Sequence, residues 1–217
     1  RIVAMKKTQM TKSDAIAIAV ASRASNIKPA RVLTIEEQGL QSVGKMRDLL
    51  DKQKLQLSNQ VRGLLMEFGI IINKSIKNFK ARIPDILEDA ENQLPMPMRH
   101  SISKMWELYS RLEDDFKALN NELIRLTGQD DDCKRFMKLE GVGPITSMRL
   151  KIQLGSGEHF KSGRQVSACI GVTPKQHSSG GKVQLGSVGK NSCDKPLRSC
   201  LFLGARAVVS KLKNRSA

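Results

Sequence analysis

The stretch from Ile102 to Leu126 places apolar side chains at Ile102, Met105, Tyr109, Leu112, Phe116, Leu119, Leu123 and Leu126. The steps alternate between three and four, the 3.5-residue repeat of a coiled-coil seam rather than the broad face of a globular helix. Pro97 ahead and Gly128 behind predict a helix over residues 97–127. A strand cannot hold that period, so the chain must be mainly α here. Burying one apolar side chain contributes roughly 1.5–3 kcal/mol, so the stripe demands a partner. That partner is either another helix of the chain or a second copy, and the sustained repeat favours an oligomer.

A second long helix is predicted upstream. Thr34-Ile35-Glu36-Glu37 has the capping-box pattern, with a glutamate three positions after the threonine. Val43, Leu50, Leu57 and Leu64 then recur every seven residues, supported by Leu40, Met46, Val61 and Phe68. Gln53 and Gln60 interrupt the second seam position, and Gly69 supplies a stop. Between the two long helices Pro84 is expected to open a short acidic helix, "PDILEDAENQL", that Pro95 and Pro97 break. Residues 34–130 therefore read as a coiled-coil arm, with a closed helical bundle as the alternative.

The two ends have different characters. "RIVAM" reads as a short strand and "SDAIAIAVASRA" as a small-residue helix suited to a sheet. One strand and one helix cannot close a sheet, so residues 1–33 are expected to be the edge of a domain lying mostly upstream. Residues 131–217 turn to glycine-rich junctions between short helices. With 37 Lys+Arg against 21 Asp+Glu the formal net charge is +16, an excess that points to nucleic acid. Cys133, Cys169, Cys193 and Cys200 form no C-x-x-C pair, and the three histidines lack zinc spacing. Reduced thiols and a cytoplasmic location are expected, with no membrane contact, since no run is long and apolar enough to span a bilayer.

Two motifs could carry function. Gly141-Val142-Gly143-Pro144 between predicted helices has the form of a helix-hairpin-helix turn, whose glycines let a phosphate approach the free N–H groups of the next helix. Lys134, Arg135, Lys138, Arg149 and Lys151 surround it, and such a site would grip backbone without reading sequence. The second motif is "QHSSGGKVQLG". Gly180-Gly181 is hairpin-turn chemistry, and no G-x-S-x-G elbow accompanies the serines. A serine becomes a nucleophile only when activated, so on these residues alone a polar turn is the default and attack stays open.

Longer blocks carry a resemblance. "GVGPITSMRL", "FKSGRQVSACIGVTPKQHSSGGKVQLGSVGK" and "LRSCLFLGARAVV" resemble the C-terminal domain of transposases of the insertion-sequence-110 family, nearest its 1111 subgroup. "KSDAIAIAVAS", "NIKPARV", "EEQGLQSVGKMRDLLDKQKLQLSNQVRGLLMEFGI" and "IPDILEDAENQLP" resemble that subgroup's middle segment. The resemblance implies a mainly α fold with three parts. They are the remnant of a RuvC-like (RNase H-like) α/β domain (1–33), a coiled-coil linker (34–130) and a helical C-terminal transposase domain (131–217) with helix-hairpin-helix and short β-hairpin. It implies that Ser179 attacks DNA, with Ser178 at a variable place, and that Asp14 is the last of four acidic residues holding Mg2+. Thr11 stands where the third acid belongs, and the first two would lie upstream of Arg1. Gly189 and Ser192-Cys193 depart from other landmarks, while Lys190 and Arg198 are retained. Nucleic acid would then meet Gly141, Gly143, Lys151, Lys182, Lys190 and Arg198. The implied partners are donor and target DNA duplexes, a bridge RNA that specifies them, and further copies of the chain. The competing expectation is a non-catalytic helix-hairpin-helix nucleic-acid-binding protein or an inactive transposase fragment.

Overall fold

The computed structural model describes residues 12–24, 31–179, 182–188 and 194–213. These residues are mainly helical, with a single pair of strands among them. The chain divides into two compact units, Arg1–Gly39 and Leu40–Ala217. No helix among the described residues is long and apolar enough to cross a membrane.

The first unit contains α1 (Lys12–Arg23) and the start of α2 (Ile35–Glu67). Asp14 lies in the first turn of α1 and is half-buried. The capping box forms as the sequence predicts. Thr34 Oγ1 accepts from the Glu37 N–H at 3.2 Å, and the Thr34 N–H donates to Glu37 Oε2 at 3.0 Å. Two N–H groups at the helix start are thereby satisfied, and Arg31 pairs with the buried Glu37. The expected strand at residues 1–5 and Thr11 lie outside the described residues.

In the second unit α2 runs to Glu67 and closes on Gly69, at φ 76°, with the Ile70 N–H returning to the Leu65 carbonyl at 3.0 Å. Next come α3 (Ile76–Glu88) and α4 (Met96–Gln129). Pro84 corrects the sequence reading, for it sits inside α3 rather than opening it. Phe79, Ile83 and Ile86 on one face of α3 are buried with Val61 and Leu65 of α2 and Ile102 and Tyr109 of α4. That burial outweighs the backbone bond a proline removes. Arg99 caps the C-terminal end of α3, donating to the carbonyls of Ile86 at 3.0 Å, Leu87 at 2.6 Å and Asp89 at 2.7 Å.

The long helix occupies almost the expected span, but its buried stripe is rotated. Ile102, Tyr109 and Leu123 face inward, and so do Trp106, Glu113, Asn120 and Thr127, which are wholly or partly buried. Met105, Leu112, Leu119 and Leu126 flank this stripe, and Met105 is exposed. Two clusters explain the rotation. Phe79 meets Trp106 and Tyr109 edge-on, at centroid separations of 6.0 and 5.2 Å, and Trp106 stacks on Tyr109 at 5.6 Å. One turn further on, Glu113 bridges Lys54 of α2 at 2.7 Å and Lys80 of α3 at 2.6 Å. Lys54 also lies 3.8 Å from the Phe116 ring centroid, and Arg47 donates to Asn120 at 3.0 Å. Desolvation raises the Glu113 pKa, but the two lysine hydrogen bonds and charges overcome it, leaving the carboxyl below its ordinary 4.5. A depressed carboxyl stabilises the fold fully above that ordinary value and loses its contribution as pH falls through the folded one. Acid unfolding below about pH 4.5 is therefore expected to have a component that Glu113→Gln removes, read from melting temperature against pH.

The rest of the second unit comprises α5 (Asp131–Met137), α6 (Pro144–Leu154), α7 (Gly163–Ile170), β1 (Pro174–Ser179), β2 (Lys182–Val188) and α8 (Lys195–Lys213). Leu150, Leu154, Ile170 and Leu197 form its core, with Phe136, Val142, Phe160, Val166 and Leu201 packed on them.

Candidate nucleic-acid interface

The α5–α6 junction follows from its residues. Asp130 caps α5, accepting from the Cys133 N–H at 2.9 Å, and Lys151 of α6 pairs with the same carboxylate. Desolvation of Asp130 is overcome by the Lys151 and Cys133 hydrogen bonds, so its carboxyl lies below the usual range. Burial and the nearby Asp130 charge push the Cys133 thiol up to about 11, which keeps it protonated and unreactive. The turn closes with the Val142 N–H on the Leu139 carbonyl at 3.1 Å and Gly141 at φ 82°, a left-handed conformation suited to glycine. Gly143 then caps α6, and Pro144 occupies the first turn, where an N–H is not needed.

Helix α8 is preceded by Asp194, whose side chain accepts from the Leu197 N–H at 3.1 Å. Leu197 anchors it in the core. Seven residues on, Gly204 meets Gly141 backbone to backbone. A β-carbon on Gly204 would lie 2.1 Å from the Gly141 carbonyl oxygen, and one on Gly141 would lie 2.7 Å from that of Gly204. Beside this contact is a largely apolar groove of about 1040 Å³, lined by Gly141, Val142, Val172, Val188, Arg198 and Phe202 among others.

Alanine normally outranks glycine in a helix by about 1 kcal/mol. Here the sign should reverse. Gly204→Ala is expected to destabilise by roughly 1–3 kcal/mol, as overpacking against rigid neighbours does. Urea denaturation measures it, and a stabilised variant would remove the contact from the fold.

The strands pair antiparallel, with Ser179 opposite Lys182, Ser178 opposite Val183 and Pro174 opposite Val188, and an irregularity between Pro174 and Gln176. Ser179 therefore ends β1 where the pairing stops, at the tip of a hairpin, as the "SGGK" sequence predicts. Its separation from Pro174 along the strand is roughly 16 Å at 3.3 Å per residue. Val188 at the opposite end lines the groove.

The expected site residues thus fall into separate groups. Gly141 and Arg198 share the groove, with Arg198 half-buried, and Gly143 has open space beside it. Ser179 and Lys182 share the hairpin tip. Lys190 lies outside the described residues. Lys151 is half-buried and paired with Asp130, the N-cap of α5. Arg149 is likewise held by Asp48 of α2. Sequence gives the sign of both charges and not their orientation. Lys134 and Arg135 are on the surface, paired within α5 to Asp131 and Asp132, and Lys138 is exposed. No three His, Cys, Asp or Glu side chains converge on a metal position among the described residues.

Gly204 is the site residue that sequence reading passed over. The signal was a lone glycine inside an apolar helix, which ordinarily marks a close approach.

Comparison with known proteins matches residues 133–217 to the model of the transposase IS116/IS110/IS902 family. The transposase for insertion sequence element IS1111A of Coxiella burnetii is 31% identical over 212 residues, 98% of this chain and 58% of the relative. A probable family 20 transposase of Pseudomonas aeruginosa is 34% identical over 210 residues, 94% of this chain and 60% of the relative. The transposase for insertion sequence element IS1328 of Yersinia enterocolitica is 29% identical over 205 residues, again 94% and 60%. The chain spans about three fifths of the length of these relatives. Residues 133–217, from within α5 to the last residue given, thus match the transposase domain of the IS116/IS110/IS902 family, and the chain is similar to insertion-sequence transposases along nearly all of its length.

Proposed function

We propose that this protein is a DNA transposase that cleaves and rejoins strands through Ser179, and that its targets are specified by base pairing to a bridge RNA. The observation that carries the reading is the position of Ser179. It ends β1 at a hairpin tip, opposite a lysine, inside the transposase domain. In the proposed step the Ser179 oxygen bonds to phosphorus and gives up its proton. The phosphorus–oxygen bond to one deoxyribose breaks, and the departing oxygen gains a proton. The phosphoserine link conserves the diester for rejoining, when a deoxyribose hydroxyl displaces the serine. The α5–α6 turn, with Gly143 open and Lys138 exposed, supports a phosphate-backbone grip that leaves sequence to base pairing. Lys182, Lys190 and Arg198 belong to that grip, whereas Lys151 is withdrawn from it. The α1 helix supports the RuvC-like remnant, since Ile16, Ile18 and Val20 are exposed on it and suit burial in a larger domain. Several serines held together for two duplexes require a homo-oligomer.

The deciding experiment traps the intermediate. Incubation with nicked or suicide DNA substrates should yield a covalent adduct whose linked peptide contains Ser179. DNA binding without an adduct would leave a binding module, which the α5–α6 turn and the +16 charge alone can support. Binding itself should weaken steeply with salt and depend little on sequence. Each neutralised phosphate contributes about 0.9 to the slope of log affinity against log salt. A flat plot from a salt titration would remove phosphate neutralisation as the main binding term.

A further inference from the structure

The β1–β2 hairpin has two unlike faces. Its register is unbroken from Gln176 to Ser179, with Gln176 opposite Leu185, His177 opposite Gln184, Ser178 opposite Val183 and Ser179 opposite Lys182. Successive residues of a strand alternate between faces, and directly opposed residues share one. One face therefore carries Gln176, Ser178, Val183 and Leu185, none of which ionises near neutral pH. The other carries His177, Ser179, Lys182 and Gln184. The irregularity between Pro174 and Gln176 lies before these pairs and leaves the assignment intact.

We propose that His177 is the base that takes the Ser179 proton, which rests on the reading that Ser179 attacks DNA. A serine hydroxyl keeps its proton at neutral pH and needs an adjacent base to become a nucleophile. Three residues share the Ser179 face. Gln184 takes no proton. Lys182 is directly opposite, but an ordinary lysine pKa of about 10.4 leaves it charged, fit to neutralise a phosphate oxygen and not to accept a proton. An ordinary histidine pKa of about 6.5 leaves most of His177 neutral at pH 7, with a lone pair to offer. His177 and Ser179 are two residues apart along β1, roughly 6.6 Å at 3.3 Å per residue. An imidazole and a hydroxyl on one face can close that span to the hydrogen bond of about 2.6–3.2 Å that proton transfer needs. Gln184, opposite His177, carries an amide oxygen that can accept from the second ring nitrogen and fix the tautomer. Ser178 is on the other face, so the two neighbouring serines differ in their access to a base.

In the cleavage step His177 accepts the Ser179 proton as the serine oxygen bonds to phosphorus. Attacking and leaving oxygens are in line, so the deoxyribose oxygen departs on the side away from His177 and takes its proton from water. On rejoining, a deoxyribose hydroxyl loses its proton to water and bonds to phosphorus. The serine oxygen leaves, and the imidazolium returns the proton to it.

The test follows the covalent adduct formed by the full-length protein on a nicked DNA duplex spanning one end of the insertion sequence. His177→Gln, which keeps a polar side chain but takes no proton, should slow adduct formation by about 10²–10⁴-fold. Its affinity for the same duplex should be unchanged. Imidazole added to His177→Ala should raise the rate in proportion to its concentration, a response that a lost packing contact would not give. Should His177→Gln fail to fold, judged by circular dichroism, the imidazole response of His177→Ala decides. Adduct formation by His177→Gln at the parent rate overturns the proposal and puts the base outside the hairpin. A slow His177→Ala that imidazole leaves slow overturns it too. An adduct that survives Ser179→Ala would instead sink the serine reading itself, whatever His177 does.

Discussion

On the proposed serine chemistry, Ser179→Ala is expected to abolish strand cleavage and exchange while leaving nucleic-acid binding in place. Phosphoryl transfer through a covalent intermediate needs an oxygen at that position, and alanine offers none. Losses on the order of 10⁴-fold or more accompany removal of an enzymatic nucleophile. Ser178→Ala, one position earlier and opposite Val183 in the strand register, should be far milder. The measurement is recombination of paired donor and target plasmids, with binding followed separately. Recombination by Ser179→Ala at the parent rate would remove this serine from the mechanism and move the search to another hydroxyl of the domain.

The second large effect concerns stability. Glu113→Ala leaves Lys54, whose side chain is 11% exposed, without its carboxylate between α2 and α4. Removing one partner of a buried pair costs about 3–5 kcal/mol. The Phe116 face beneath the ammonium and the partial exposure of Lys80 place the expectation at the low end. Chemical denaturation measures it, and Glu113→Gln, which keeps hydrogen-bond acceptors, should lose less. Replacing Lys54 and Glu113 together by apolar residues should recover most of the loss, since the penalty belongs to the stranded charge rather than to the absent pair.

Local chemistry was legible in the sequence, and long-range orientation was not. The Thr34–Glu37 capping box, the α4 span and the hairpin around "SGGK" all depend on neighbours within a few residues. The inward face of α4 depends instead on what packs there. The 3.5-residue repeat is real, but Phe79, Lys54 and Lys80 come from other helices and draw Trp106 and Glu113 inward beside it, while Met105 is left exposed. The place of Pro84 inside α3 has the same cause, because the burial of Phe79, Ile83 and Ile86 is a tertiary fact. At the candidate site the glycine turn and the hairpin serine were readable as motifs. The pairing of Lys151 with Asp130 was not, since no spacing rule links those residues across the α5–α6 junction.

The Gly141–Gly204 contact also constrains how the protein can change. Most packing defects have a second-site suppressor: an oversized side chain is forgiven when its neighbour shrinks. Here each partner is already the smallest residue, and what an added side chain would strike is the main-chain carbonyl group of the other. Neither position can make room for the other. A selection for revertants of a Gly204 substitution should therefore return true reversion, or changes that shift the whole of α8, and no compensating substitution at residue 141.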